Sequence, residues 1–193
     1  MKNRILLTAF LLCTLANISI AQNLISGKGF DEIHLGTLRS DAEILLGQAT
    51  SVSDYESEKN SWKESGIDVE KELVFIIGFD NVCTYADNKY CIWKIFYKNN
   101  RAVYFIMSGY LSDKDYTKNI TVNNSLLFDD SIDKATELFG KSPVKIKDDD
   151  SAYYYYFPAS GISLYVEEEK IKVFYIFEAY KGKELKKILK LIK

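Results

Sequence analysis

Few residues in this chain are suited to chemistry, and their spacing limits what that chemistry could be. Cys83 and Cys91 share one short segment. A hairpin centred on Asp87 would set them opposite each other on adjacent strands. A non-hydrogen-bonded pair of that kind brings Cα atoms to about 4.5 Å, at the short end of disulfide reach. The pair reads as a structural bridge, with free or reactive thiols as the alternative. A redox pair would rather be Cys-x-x-Cys at a helix start. His34 is the only histidine. A Ser-His-Asp triad would need it as base, but it lies between Ile33 and Leu35 in a strand-like lead-in, where a structural or exposed His is expected. Zinc would need more His or Cys ligands than the chain offers. Asp148, Asp149 and Asp150, or Glu167, Glu168 and Glu169, supply oxygens of the kind calcium takes. Neither run has EF-hand spacing, and both read as solvated turns. There is no nucleophile elbow, phosphate loop or dinucleotide fingerprint. Nothing points to a carboxylate pair for glycoside chemistry. The expectation is a protein without catalytic residues, metal or cofactor, and not an enzyme.

The aromatic load is the stronger signal. Tyr153, Tyr154, Tyr155 and Tyr156 put rings on both faces of one strand, because successive side chains alternate. Together with Tyr165, Tyr175 and Trp62 they are the candidate binding residues. One face of that strand is expected to pack under a helix. The other needs a cover, since large exposed apolar patches are uncommon in monomers. Two covers are open: another part of this chain, or a partner protein, for which tyrosine is a favoured anchor.

These residues depend on the elements that carry them. The chain from about Asp31 to Tyr180 reads as one small unit written twice. Ala42, Leu45, Leu46 and Gly47 of one copy align with Ala135, Leu138, Phe139 and Gly140 of the other. In the first copy Ser40 and Glu43 have capping-box spacing, and Gly47 ends the helix. Gly47 to Val103 spans 56 residues against 33 for Gly140 to Val173, so half one carries an insertion. Its polar part, residues 51–72, reads as a loop or a poorly packed segment. Strands are expected at 73–79, 91–97 and 102–108, with a turn at Asn99 and Asn100. Half two repeats the plan with a helix over 132–139 and strands at 153–157, 162–167 and 171–180. Three short strands after one helix make an antiparallel meander with the helix on one face. The fold class is therefore α+β, with two tandem helix-plus-meander units at 22–118 and 119–180.

Both ends of the chain differ in character from this middle. Lys2 and Arg4, an apolar stretch from Ile5 to Leu15, and Ser19-Ile20-Ala21 before Gln22 have the form of a cleaved export signal over residues 1–21. Leu12 before Cys13 is not the small residue a lipoprotein signal requires. The chain from Gln22 is thus expected in the periplasm or outside the cell, a setting that favours pairing Cys83 with Cys91. Without Lys2 and Arg4 it carries 23 bases against 27 acids, which gives no reason to expect nucleic acid. Residues 181–193 hold six lysines and one glutamate, with Leu185, Ile188, Leu189 and Ile192 on one helical face. That helix either docks on the body or meets an anionic membrane or acidic partner.

The repeat has a short helix ending in Leu138-Phe139-Gly140, an aromatic strand at Tyr153 to Tyr156, Gly161, an acidic hairpin at Glu167 to Glu169, then Val173 and Ile176. Half one matches at Gly36, Leu45 to Gly47, Val103 and Ile106, and departs through its insertion. This pattern resembles the repeat of the β-lactamase inhibitory protein and of the small outer-membrane assembly lipoproteins (SmpA/OmlA-like). The resemblance implies helices packed on antiparallel sheet and a non-enzymatic role in contacting another protein. The assembly lipoproteins carry a lipidated cysteine that this chain lacks, and no target-contacting residue of the inhibitor has a match here. The function expected from the sequence is an exported protein–protein interaction module, with inhibition as one form of that role, acting on an unidentified protein through an aromatic sheet face. The alternative is an envelope-lipid or small-ligand binder.

Overall fold

A computed structural model of the chain describes residues 22–86, 92–109 and 120–192. It is an α+β fold, with five helices and two sheets among those residues. In chain order they are β1 (Gln22–Ile25), β2 (Gly29–Phe30), β3 (Ile33–His34), α1 (Arg39–Leu46), β4 (Ser51–Asp54), α2 (Tyr55–Glu64), α3 (Leu73–Ile77), β5 (Asn81–Ala86), β6 (Ile92–Lys98) and β7 (Arg101–Ser108). They continue with β8 (Ile120–Val122), β9 (Leu126–Leu127), α4 (Ile132–Phe139), β10 (Val144–Asp149), β11 (Ala152–Phe157), β12 (Ile162–Glu167), β13 (Lys170–Phe177) and α5 (Gly182–Leu191).

The large sheet has the order β10-β11-β12-β13-β7-β6-β5-β4, antiparallel throughout. Its centre is the β13–β7 pair, where Tyr175 lies opposite Ile106. A small sheet, β3-β2-β1-β8-β9, contains the one parallel pair, β1 with β8. Alternation along the strands gives the large sheet two apolar faces, and both are covered. Ile95, Phe105, Leu164, Phe174 and Ile176 face the small sheet, with Ala42 of α1 and Ala135 of α4 buried among them. Phe96, Tyr104, Tyr154, Tyr156, Tyr175 and Phe177 face the other way, under Leu73, Val74 and Phe75 of α3 and Ile188 of α5.

Several expectations from the sequence change here. The run at 73–79 is a short helix, not a strand. Leu73, Val74 and Phe75 are all buried, so the run shows no period to separate the two states. Gly78, at φ 74°, closes it. Residues 51–72 are not a loop: they hold β4 and α2. Their polarity hid a helix that is anchored by one buried carboxylate, described below. β5, β10 and the small sheet went unseen, and each meander lacked its first strand.

The Ser40/Glu43 capping box does not form. α1 starts two residues earlier, with Leu38 as its uncapped N-cap, and Arg39 takes the Glu43 carboxylate at 2.7 Å. Tertiary bonds set that start. Leu38 bridges to Arg101, and the Arg39 N–H donates to the Asn100 carbonyl. The register pairs Cys83 with Ile95. Cys83 is a buried free thiol, and Cys91 lies outside the described residues, as does the signal over residues 1–21.

Candidate functional site

The β6–β7 hairpin turns through Asn99 and Asn100, at φ 50° and 62°. Asparagine tolerates this left-handed conformation, which a tight two-residue turn of matching twist requires. The turn fixes Lys98 directly opposite Arg101 in the last rung of the ladder. Like charges placed opposite each other disfavour a sheet. The two side chains are held by different elements. The Lys98 Nζ donates to the Ile77 carbonyl at the end of α3, at 3.1 Å, and the Arg101 Nη1 donates to the Gly36 carbonyl after β3, at 2.9 Å.

Between these elements lies a cleft of about 810 Å³. Lys28, from the β1–β2 turn, adds a third cation, and His34 is exposed on the lining. Glu178 is the single acid there, and Leu35, Ile77, Val103 and the ring of Tyr180 supply apolar wall. Among the described residues, none of Lys28, Lys98 and Arg101 has an ion-pair partner. Each cation therefore keeps N–H donors free for a ligand. One wall is anchored at Gly161, whose carbonyl accepts the Gly27 N–H at 3.1 Å. A Cβ at Gly161 would come within 2.4 Å of the Gly27 Cα, so glycine is needed for this close approach.

The tyrosines read from the sequence are divided by the fold. Tyr154, Tyr156 and Tyr175 are buried, and their cover is α3, α5 and the segment leading into α3. Burial pushes the hydroxyls of all three above the usual tyrosine range. Glu72, the N-cap of α3, is buried against this group. Burial raises its pKa to about 7, the charges of Asp148 and Asp68 add to the rise, and a hydrogen bond from Tyr156 opposes it. Tyr165 is half-buried and donates to Asp148 at 3.0 Å. Trp62 is half-buried too, edge-on to Phe75, and donates from Nε1 to Glu58 at 3.0 Å. Tyr153 and Tyr155 lie on the opposite face, both half-buried, with the Lys145 ammonium 3.8 and 5.2 Å from their ring centroids. They belong to a separate groove of about 440 Å³ rimmed by Asp150, Glu168 and Glu169.

Glu58 anchors α2 to the sheet. Its buried carboxylate accepts from Ser53, Trp62 and Lys94. Burial works against its charge, but the hydrogen bond and charge of Lys94 outweigh it, and its pKa lies below the ordinary value. Among the described residues no three His, Cys, Asp or Glu side chains are grouped as a metal would need.

Sequence reasoning missed the cleft cations. The usable signal was Lys98-Asn99-Asn100-Arg101, a hairpin turn flanked by two like charges that must face each other. Lys28 and Gly36 reach the cleft through the small sheet, whose strands of two to four residues are too short to show a pattern. Comparison with known protein families, curated proteins and solved structures finds no match for this chain.

Proposed function

We propose that the chain is an exported, non-enzymatic binding protein whose cleft takes an amphiphilic anion. The acidic group of the ligand sits between Lys98, Arg101 and Lys28, and its apolar part lies against Leu35, Ile77 and Tyr180. One observation carries this reading: Lys98 and Arg101 oppose each other across a tight turn, with no acid paired to either among the described residues, on the lining of a partly apolar cleft. A like-charge rung costs stability, and an anion is what would offset it. The cleft volume lies within the range of small-molecule sites.

Titration with 1-anilinonaphthalene-8-sulfonate, a sulfonate on an aromatic body, tests the reading. Saturable one-to-one fluorescence enhancement is expected. Arg101→Ala and Lys98→Ala should each weaken it by about tenfold or more, the cost of one charge-assisted hydrogen bond. Both residues are exposed, so the fold is expected to survive either change. Enhancement unaffected by both variants would remove the cleft from the account.

A second reading, contact with a partner protein, keeps support at another surface. Ile44, Leu45 and Val52 are 81%, 51% and 50% exposed. Val52 lies opposite Cys83 in β4, the strand at an edge of the large sheet. The resemblance to the inhibitory-protein repeat is part of this second reading. So is the tandem plan, supported by the paired bridges Leu38 to Arg101 and Ser131 to Lys170, which tie each helix start to a hairpin.

A further inference from the structure

The segment that leaves the cleft leads directly into the most basic element of the molecule. Tyr180 lines the cleft, Lys181 is the N-cap of α5, and Lys183, Lys186, Lys187 and Lys190 follow along the helix. All five lysines are exposed, and among the described residues none has an ion-pair partner. The apolar side of α5 is already in use: Ile188 and Ile192 are buried in the core, with Leu185 and Leu189 half-buried. Of its apolar side chains only Leu191, at its last residue, is exposed, so the free surface of the helix is mainly one of charge. Elsewhere the chain is acidic, so its positive charge is concentrated where this helix and the cleft adjoin. The chain outside residues 181–193, counted from Gln22, carries 17 bases against 26 acids.

We propose that α5 holds the protein on an anionic lipid bilayer by charge alone, and that the amphiphilic anion of the cleft is a lipid from that surface. The second clause rests on the cleft reading above; the first does not. Acidic lipid head groups supply the complementary charge to the lysines. An acidic amphiphile in the membrane also has the two parts the cleft would receive, an anion and an apolar body. A contact made by lysines without apolar insertion weakens steeply with salt, because exposed charges are screened beyond about 8 Å at physiological ionic strength. Each lysine near such a surface strengthens binding by about fivefold.

The test is sedimentation of the chain from Gln22, which contains every element described above, with vesicles. One set is phosphatidylcholine alone and the other contains phosphatidylglycerol. The protein is expected to sediment with the second set only, and to be released by about 0.5 M salt. Replacing Lys183, Lys186, Lys187 and Lys190 together by Gln should reduce that binding by about 100-fold or more. The same variant should keep the anilinonaphthalene sulfonate titration unchanged. Anionic vesicles that do not sediment the wild-type chain would overturn the inference, as would vesicles that bind the quadruple variant equally well. If the sulfonate titration persists in either case, the cleft reading stands alone. If it also fails, both readings fall, and they are told apart by that one control.

Discussion

Folding stability should fall as pH rises from about 4.5 to about 7, and Glu72→Gln should abolish most of that fall. Glu72 is 8% exposed, at the start of α3. The groups that raise or lower its pKa are burial, Asp148, Asp68 and the hydroxyl of Tyr156. Its pKa is about 7 against an ordinary 4.5, so the folded state binds this proton more tightly than the unfolded state does. Below 4.5 both states hold the proton and there is no penalty. Between the two values the folded state keeps a proton that the unfolded chain has lost. Each pH unit then removes up to about 1.4 kcal/mol, and above 7 the loss levels off at roughly 3 kcal/mol. Denaturant melts at pH 5 and pH 8 measure it. The wild type should lose about 2.5 kcal/mol between them beyond any change in Glu72→Gln. Parallel curves for the two proteins would show that Glu72 is not held in its neutral form.

The second large effect belongs to Lys94. Its ammonium pairs with Glu58, whose side chain is only 7% exposed. Removing one partner of a buried pair leaves the other charge without compensation, at a cost of about 3–5 kcal/mol. Lys94 is itself 30% exposed, so water replaces part of the lost interaction. Lys94→Met should therefore destabilise the chain by about 3 kcal/mol. The double variant Lys94→Met/Glu58→Gln should recover most of it, because no buried charge then remains. In the wild type Glu58 has the opposite sign to Glu72: its pKa is lowered, so its contribution is lost as pH falls. In Lys94→Met the Glu58 carboxyl is expected to titrate at higher pH, so the penalty of the single variant should shrink as pH falls. Equal destabilisation in the single and double variants would mean that α2 is held by packing of Tyr55 and Trp62 on Phe75, not by the carboxylate.

Those two residues show why part of the structure was readable and part was not. Aromatic and β-branched runs bounded by turn residues, such as Tyr153 to Phe157 and Ala102 to Ser108, lie in strands as the sequence suggested, and α4 and α5 are helices as expected. α3 was misread because its five residues, Leu73 to Ile77, are all apolar and so show no period. α2 was read as a loop because one buried Glu and a half-buried Trp fix it to the sheet, and neither stands out in a charged sequence. The tyrosines stand out in the sequence, and the fold divides them between the two faces of the large sheet. Which element covers them depends on how residues 55–80 fold back over the sheet, and no local signal carries that information. The cleft is likewise a product of topology: its cations come from the β1–β2 turn and the β6–β7 hairpin, which are far apart in sequence and are brought together by tertiary bonds such as that from the Gly36 N–H to the Ala102 carbonyl.

The most direct test of the binding account is to map amide chemical shifts of the chain from Gln22 while 1-anilinonaphthalene-8-sulfonate is added. The account predicts saturable shifts at Lys28, Gly36, Lys98 to Ala102 and Tyr180. Shifts confined to Ile44, Leu45 and Val52, or to the groove at Tyr153 and Tyr155, would contradict it.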